Sequence, residues 1–135
     1  MTKHCVLAVV LVGLCVGCNK SGGSNPFSES PSSIVRALYM SCNAGEYSKV
    51  EPLLSSDLQK LVHGDMGTMA GGIKGICDKE SNNGSIAGID VVSEEIKGEG
   101  AMVIVNVRYK DGTMKRNDRN PCIKENGSWK IAPGD

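Results

Sequence analysis

The feature that most restricts the fold of this chain is a strict alternation of side chains over residues 101–109. Ala, Val, Val, Val and Tyr occupy the odd positions, and Met, Ile, Asn and Arg occupy the even ones. Successive side chains of a β-strand point to opposite faces of a sheet, so this period of two predicts a strand with one buried face. Asp111-Gly112 follows and predicts a type I′ hairpin, in which both central residues have positive φ. The C-terminal part of the chain should therefore form an antiparallel sheet.

Four more strand segments are predicted around this one. They cover residues 86–92, residues 113–120, and a final hairpin of residues 122–124 and 128–131 joined through Glu125-Asn126-Gly127. Gly88 predicts an irregularity in the first segment, and residues 97–100 predict the turn that follows it. Residues 113–120 hold few apolar side chains and end before Pro121, which cannot donate a ladder hydrogen bond. We therefore expect this segment to be an edge strand or a bulged strand.

The chain before residue 81 shows helical spacing instead. Ser30-Pro31 predicts an N-cap followed by proline at the first helical position, and Ala44-Gly45 ends the helix. The apolar residues of this helix lie at helical intervals: Ile34, Val35, Leu38, Tyr39 and Cys42. A short second helix is predicted over residues 47–54, started or kinked by Pro52, and a third from Ser55 or Ser56 to Ile76, weakened by five glycines. Helices first and antiparallel strands after them predict an α+β domain.

The first 18 residues have the form of an export signal. Lys3 and His4 precede an apolar run over residues 5–16, which is shorter than the about 20 residues that a transmembrane helix needs. The run ends in Leu14-Cys15-Val16-Gly17-Cys18, which resembles the lipobox of bacterial lipoproteins. We expect cleavage between Gly17 and Cys18 and acyl chains on Cys18, which would anchor the protein to a membrane without spanning it. An ordinary secretory signal cut near Gly17 is the alternative.

Removal of residues 1–17 from the 135-residue chain would leave 118 residues. Residues 18–29 are mostly small and polar and predict a lipidated cysteine with a flexible tether, so residues 30–135 should form one small domain. Lys3 is one of 15 basic side chains, and the processed chain would carry 14 basic and 15 acidic ones. No stripe of positive charge is present, which argues against a nucleic-acid partner. The predicted location is the bacterial cell envelope, on the periplasmic side of the outer membrane.

Three cysteines remain in the processed domain: Cys42, Cys77 and Cys122. An oxidising compartment allows one disulfide among them and leaves one thiol. We expect Cys77 to pair with Cys122, because Cys42 falls on an apolar helix face, where a buried free cysteine behaves as a small hydrophobe. Pairing of Cys42 with Cys77 or with Cys122 is the alternative.

Three blocks of the sequence, in this order, carry a wider resemblance. They are Pro-Ser-Ser-Ile-Val-Arg-Ala-Leu and Ala-Gly-Glu-Tyr-Ser-Lys-Val in residues 31–54, Gly-Ser-Ile-Ala-Gly-Ile-Asp-Val-Val and Gly-Ala-Met-Val-Ile-Val in residues 84–107, and Tyr-Lys-Asp-Gly and Lys-Glu-Asn-Gly-Ser-Trp-Lys-Ile in residues 109–131. The chain resembles the small bacterial lipoprotein domains of unknown function in the nuclear-transport-factor-2-like superfamily. The resemblance implies N-terminal helices that close one side of a strongly curved antiparallel sheet, with a cone-shaped pocket between them. Superfamily members include isomerases and dehydratases as well as binding and scaffold domains, so the fold leaves the function open.

Candidate catalytic and metal-binding residues are few. His63 is the imidazole that remains after processing, so a general-base role would fall to it or to one of four aspartates: Asp57, Asp65, Asp78 and Asp90. A surface position at a helix end is the simpler interpretation of His63. His63, Met66 and Met69 stand at steps of three and could hold Cu(I) on one helix face, although a packing stripe has the same spacing. The sequence predicts no cofactor.

Other residues suggest the core and possible partners. Tyr39, Tyr109 and Trp129 are predicted to line the pocket or to fill the core. Met102 and Ile104 face away from the buried side of their strand, so the outer face of the sheet could form a homodimer. The second hairpin is basic and could meet an anionic partner or phospholipid head groups, or protect a solvated sheet edge. Its basic residues are Arg108, Lys115, Arg116 and Arg119.

These observations lead to one hypothesis and two alternatives. The hypothesis is a non-enzymatic, membrane-tethered domain that binds an envelope protein or a small-molecule ligand. One alternative is a small-molecule enzyme of the isomerase or dehydratase type that acts in the cone pocket, and the other is a Cu(I)-binding protein. An enzyme should place a pair of titratable groups with shifted pKa values inside its pocket.

Overall fold

The first helix begins at the predicted place, with Ser30 as its N-cap and Pro31 as its first residue. In the computed structural model, which describes residues 30–64, 71–80 and 85–134, α1 spans Pro31–Ala44. The Ser30 hydroxyl accepts a hydrogen bond from the Ser33 N–H at 3.2 Å, and the Ser33 hydroxyl accepts one from the Ser30 N–H at 3.1 Å, which forms a capping box. The helix ends at Gly45, whose φ of 71° is the left-handed conformation that glycine tolerates. The prediction of α1 is confirmed.

Three shorter helices follow in the part of the chain that the structure describes. α2 spans Tyr47–Val50 and continues as a single 3-10 turn over Glu51–Leu53, α3 spans Ser56–His63, and α4 spans Gly72–Glu80. The prediction of one continuous helix to Ile76 is wrong, because α3 ends at Gly64, which is extended (φ −79°, ψ 178°). Glycine costs about 1 kcal/mol relative to alanine inside a helix, which favours this break. Within the described residues, none of these helices has the length and apolar character needed to cross a membrane.

Four antiparallel strands form one sheet in chain order. They are β1 (Ile86–Lys97), β2 (Gly100–Tyr109), β3 (Met114–Glu125) and β4 (Ser128–Ile131). Among the described residues, β1 pairs with β2 alone, so its other side is an edge of the sheet. β4 pairs with residues 122–125 of β3, and its Ile131 also bridges Leu54. Register shifts around Gly88 and after Val91 confirm the irregularity predicted in β1.

The hairpin at Asp111-Gly112 differs from its prediction. Only Gly112 has a positive φ (88°), its N–H donates to the Tyr109 carbonyl at 3.1 Å, and the Tyr109 N–H donates to the Thr113 carbonyl at 3.0 Å. This is a type I turn followed by a left-handed glycine, so the type I′ prediction is wrong here. The Asp111 carboxylate accepts a bond from the Thr113 N–H at 2.8 Å, which favours this local geometry. Asn126-Gly127, with φ values of 51° and 80°, forms the type I′ turn between β3 and β4.

β3 is bulged near its start, as predicted. Val105 lies opposite Asp118 and Val107 lies opposite Lys115, so β3 holds one residue more than β2 in this interval. Asn117 adopts a φ of 54° within it. No described strand pairs with the outer side of β3 before residue 122, so this part of the strand is also a local edge.

The helices cover one face of the sheet, called the inner face here, and leave the outer face uncovered. Val103, Val105 and Val107 of β2 point to the inner face and are 0% exposed. Side chains from both layers form one core, which includes Ile34, Val35, Leu38, Val50, Leu54, Ile89 and Ile131. The predicted fold class, N-terminal helices on an antiparallel sheet, is confirmed.

The disulfide joins Cys42 of α1 to Cys77 of α4, with the Cα atoms 4.8 Å apart. The predicted Cys77–Cys122 pairing is therefore wrong, and the alternative with Cys42 holds. The reason is that α4 packs directly on α1, so the apolar face of α1 meets a helix as well as the sheet. Cys122 is a buried free thiol on β3. Burial, with the nearby charge of Glu94, raises its pKa to about 12.

Candidate functional site

A groove of about 730 Å³ runs along the side of α1 that faces away from the sheet. The α1 stripe forms one wall, and α2 with the following 3-10 turn forms the other. The floor is apolar and includes Ala37, Met40, Ala44 and Leu53. The short side chains of Ala37 and Ala44 leave the floor deep, and Met40 is 52% exposed within it. A concave apolar site of this size is typical of small-molecule or peptide binding.

Charged side chains border the groove. The Arg36 guanidinium donates a 2.8 Å hydrogen bond to the Ile89 carbonyl at the open edge of β1. The Lys49 ammonium lies 2.7 Å from the Glu46 carboxylate on the opposite wall. Three serine hydroxyls also line the groove. The α1 groove therefore combines an apolar floor with a polar rim, which suits an amphipathic ligand.

A second candidate site, the inner polar cluster, consists of Tyr39, Glu80, Lys115 and Asp118. Tyr39 is fully buried and donates a hydrogen bond to the Asp118 carboxylate. The Lys115 ammonium lies 2.9 Å from Glu80 Oε2 and 3.0 Å from Asp118 Oδ1. Lys115 and Asp118 both point inward because the β3 bulge lies between them. The cluster thus ties α1 and α4 to the sheet.

Burial and charge together set the protonation states in this cluster. Burial raises the pKa of Tyr39 above its ordinary value, and the charge of Glu80 and the bond to Asp118 raise it further. Burial alone would lower the pKa of Lys115, but its bonds to Glu80 and Asp118 outweigh that effect and raise it. At neutral pH, Tyr39 is therefore a neutral donor and Lys115 a cation.

The groove and the cluster lie on opposite sides of α1. Tyr39 belongs to the α1 stripe that packs on the sheet, whereas the groove lies on the solvent stripe. The polar groups of the four cluster side chains bond to one another, while general acid–base catalysis needs a substrate atom within hydrogen-bond reach. The groove is therefore the stronger candidate for ligand binding. The cluster is interpreted as a structural contact that joins α1 and α4 to the sheet.

Comparison with known proteins identifies the family. The model of the family described as Domain of unknown function (DUF4878) matches residues 23–132. The chain belongs to this family. The comparison with curated proteins found no significant match.

Two solved structures share the fold of this DUF4878 chain. One is the crystal structure of a candidate NTF2-like transpeptidase from Campylobacter jejuni, with 12% identity, a TM-score of 0.61, and coverage of 77% of this chain and 98% of that one. The other is the solution structure of a SEC-C motif-containing protein from Rhodopseudomonas palustris, with 17% identity, a TM-score of 0.54, and coverage of 78% and 77%. At these identities the likeness shows the fold alone. It confirms the NTF2-like α+β fold.

The aromatic residues predicted for the pocket or core of the DUF4878 domain lie in its core. Tyr39 is 0% exposed, Tyr109 3% and Trp129 7%, and none of them lines the α1 groove. The Tyr109 hydroxyl donates a 2.8 Å bond to the Glu80 carbonyl at the end of α4. The Lys124 ammonium lies 5.5 Å from the centre of the Trp129 ring. Their role is packing and the attachment of α4.

The predicted catalytic and metal residues are not brought together in the described part of the domain. His63 is exposed at the end of α3, and its Nε2 lies 2.7 Å from Glu51 Oε1. Met66, Met69 and Asp65 lie outside the described residues, as do Gly17 and Cys18. No group of three or more His, Cys, Asp or Glu side chains forms a metal site within residues 30–64, 71–80 and 85–134. The Cu(I) and lipidation hypotheses remain predictions.

The basic hairpin divides into three environments. Arg108 pairs with Asp90 at 2.9 Å and lies across Gly88, where a Cβ atom would collide with its guanidinium. Lys115 belongs to the inner polar cluster. Arg116 and Arg119 are exposed. The hairpin is therefore not one continuous basic surface.

Both candidate sites contain residues that the sequence analysis did not single out. In a regular strand, Lys115 and Asp118 would point to opposite faces. The bulge in β3 turns both side chains to the inner face, where they form an ion pair. Glu80, which also pairs with Lys115, lies on α4. The groove left a visible signal in α1: small side chains repeat on one helix stripe at Ser33, Ala37, Ser41 and Ala44. A helix stripe that is small rather than large can accept a neighbour or a ligand.

Proposed function

We propose that this chain is a lipid-anchored protein of the bacterial envelope whose domain binds a ligand in the α1 groove. The observation that carries the proposal is the groove itself, with its apolar floor, its charged rim and its volume of about 730 Å³. Specific pockets usually combine a mainly apolar lining with a few polar groups. The ligand class that fits is an amphipathic small molecule or an extended apolar segment of an envelope protein.

The anchor is supported by the leader and by the disulfide. The Leu14-Cys15-Val16-Gly17-Cys18 segment provides an acceptor cysteine. A disulfide between Cys42 and Cys77 fits an exported domain, because such bonds persist in oxidising compartments. Residues 18–29 would serve as a tether of 12 residues, and a chain of that length spans at most about 40 Å when fully extended. The groove would therefore operate close to a membrane surface.

The anchor is tested by comparing two cysteine replacements in the full chain. Cys18→Ser should abolish acylation and release the protein from membranes, whereas Cys15→Ser should leave both unchanged. Intact-mass analysis and membrane fractionation provide the measurements. Retention of acyl mass in the Cys18 variant would contradict the anchor without affecting the groove.

The groove is tested by photo-crosslinking in the native envelope. A photoreactive amino acid at Met40 lies in the groove, and the same residue at Leu61 lies outside it, although both positions are similarly exposed (52% and 46%). We expect discrete adducts at position 40 that Ala44→Trp suppresses, and none of the same mass at position 61. Equal adducts at both positions, or none at position 40, would reject the groove as a binding site.

The two alternatives stay separate hypotheses. The enzyme alternative is favoured by the inner polar cluster, which brings a buried tyrosine and a lysine beside two carboxylates. Its groups already satisfy one another, so it ranks below binding. The Cu(I) alternative rests on His63, Met66 and Met69, and a Cu(I) titration of the full chain tests it directly.

A further inference from the structure

The charged rim of the α1 groove carries a net positive charge. Three charged side chains line the groove: Arg36, Glu46 and Lys49. Lys49 pairs with Glu46 at 2.7 Å, so their charges cancel. Arg36 is exposed, and the ion pairs found among residues 30–64, 71–80 and 85–134 do not include it. The charge of Arg36 therefore favours a ligand with an anionic group.

The Arg36 guanidinium is positioned by one hydrogen bond and keeps other donors for a ligand. Its Nη1 donates to the Ile89 carbonyl at 2.8 Å, at the open edge of β1. A guanidinium has five N–H donors in a fixed, planar arrangement. Carboxylates and phosphates accept two parallel hydrogen bonds from such a group. Arg36 can therefore bind a carboxylate or a phosphate without losing its bond to Ile89.

The apolar floor restricts what can follow the head group. Ala37, Met40 and Ala44 line the groove over two turns of α1, about 11 Å along the helix axis. Pro52 and Leu53 line it from the other wall. An extended peptide on this floor would place amide groups against apolar side chains, which costs free energy unless each amide finds a partner. A hydrocarbon chain has no such groups and gains free energy with every buried methylene, so the floor favours an alkyl chain.

We infer that the ligand of the α1 groove is a single-chain anionic amphiphile, with its alkyl chain on the apolar floor and its head group on Arg36. The inference rests on the proposed function, because it names the ligand class of the same groove. The volume of about 730 Å³ is typical of pockets that hold one small ligand. Fatty acids, which carry a carboxylate, and lysophospholipids, which carry a phosphate, share this chemistry.

Two ligands with the same alkyl chain test the role of the head group. Decanoate carries a carboxylate, and decanol carries a neutral hydroxyl. Each competes with a photoreactive decanoate for labelling of the full chain at low ionic strength, and peptide mass spectrometry quantifies the adducts in residues 31–54. Loss of a hydrogen bond to a charged group costs about tenfold or more in affinity, so decanol should compete at least about tenfold less well than decanoate.

Decyl phosphate is the third competitor and distinguishes the two sources of the anionic group. Stronger competition by decyl phosphate than by decanoate would assign the groove to a phosphate-bearing lipid. The reverse order would assign it to a fatty acid. Both orders support an anionic amphiphile as the ligand, provided that decanol competes less well than either.

A matched pair of arginine substitutions locates the head group. Arg36→Gln keeps a donor for the Ile89 carbonyl but removes the charge, so decanoate should compete no better than decanol. Arg116→Gln makes the same change at an exposed arginine outside the groove and should leave the preference for decanoate unchanged. Ala44→Trp fills the floor and should abolish labelling of the groove. Circular dichroism melting should show that every variant is folded.

Three outcomes would each overturn the inference. They are equal competition by decanoate and decanol, an Arg36→Gln variant that keeps the wild-type preference, and a groove that is not labelled. The proposed function is judged separately, by the adducts at position 40 in the native envelope. Adducts of protein mass alone would keep the groove as a binding site and overturn the amphiphile as its ligand. Absence of adducts there would reject both.

Discussion

The two faces of the sheet differ in how far their side chains are buried and in whether their charged groups have partners. On the inner face, Val103, Val105 and Val107 are fully buried and the charged Lys115 has carboxylate partners. On the outer face, Ile104 is partly exposed and Glu95 and Arg119 project to solvent. Alternate residues of the same strands therefore do different work. Inner residues stabilise the fold, and outer residues remain in contact with solvent.

The largest expected difference between the faces comes from placing a carboxylate on each. Val105→Asp buries an unpaired charge, which costs several kcal/mol and is comparable with the whole stability of a small domain. We expect this variant not to fold. Ile104→Asp, one residue away, should keep the wild-type melting temperature within a few degrees. Circular dichroism melting measures both variants, and equal unfolding of the two would contradict the difference between the faces.

Removal of the disulfide tests how much of the inner layer depends on the α1–α4 attachment. The bond closes a separation of 35 residues, which in the chain-entropy model contributes about 4 kcal/mol. The Cys42→Ala/Cys77→Ala double variant should lose about that much in urea unfolding. Cys122→Ala removes a free thiol from the same core and should cost about 1 kcal/mol. A larger loss from Cys122→Ala would contradict the assigned pairing.

A matched pair of β3 substitutions compares a partnered cation with an exposed one. Lys115→Met leaves Glu80 and Asp118 without their cation and should cost about 2 kcal/mol. Arg119→Met, four residues along the strand, should change the free energy of unfolding by less than about 0.5 kcal/mol. Chemical denaturation at neutral pH measures both. Similar losses would mean that Lys115 contributes no more than a surface charge.

The smallest effect at neutral pH becomes visible only in alkali. The pKa values of Tyr39, Tyr109 and Lys115 are all raised in the folded chain, the tyrosines by burial and Lys115 by its carboxylate partners. A raised folded-state pKa gives stability that is complete below the unfolded value and is lost as pH rises toward the folded one, so stability should fall above pH about 10. Each group whose pKa is raised in the folded chain changes the free energy of unfolding by at most about 1.4 kcal/mol per pH unit.

Tyr39→Phe is the variant that isolates one of these groups. It should flatten the decline in stability between about pH 10 and pH 12, a window that follows from the ordinary tyrosine pKa. Urea unfolding at a series of pH values measures the slope. An unchanged slope would mean that Tyr39 titrates in the folded chain as it does in the unfolded one.

Local signals in the sequence were sufficient for most of the fold. The Ser30-Pro31 start of α1, the alternation in β2 and the bulge in β3 depend on residues close in the chain, and all three predictions are confirmed. The NTF2-like resemblance supplied the arrangement of helices on the sheet, which the structural neighbours confirm. These features were predictable because neighbouring residues determine them.

The failures share a dependence on distant contacts or on competing local bonds. The Cys42–Cys77 bond follows from how α4 packs on α1, which neither helix reveals alone. The turn at Asp111 depends on a hydrogen bond that the Thr113 N–H donates to the Asp111 carboxylate. In this turn Gly112 has a positive φ and Asp111 does not, whereas a type I′ turn needs both. The inner polar cluster requires a strand bulge and a helix end to meet, so no single stretch of sequence contains it. Candidate sites were accordingly harder to predict than elements.

The open side of β1 has a consequence wherever copies of this chain are crowded together. A strand of 12 residues with one unpaired side is a template onto which a strand of a neighbouring molecule can add, the first step toward fibrous aggregation. At this edge, the Arg36 guanidinium already donates a hydrogen bond to the Ile89 carbonyl. The strand is irregular after Val91, and the acidic residues Glu94 and Glu95 follow. These features disfavour the addition of further strands to the edge of the sheet, so crowded copies can lie side by side without polymerising.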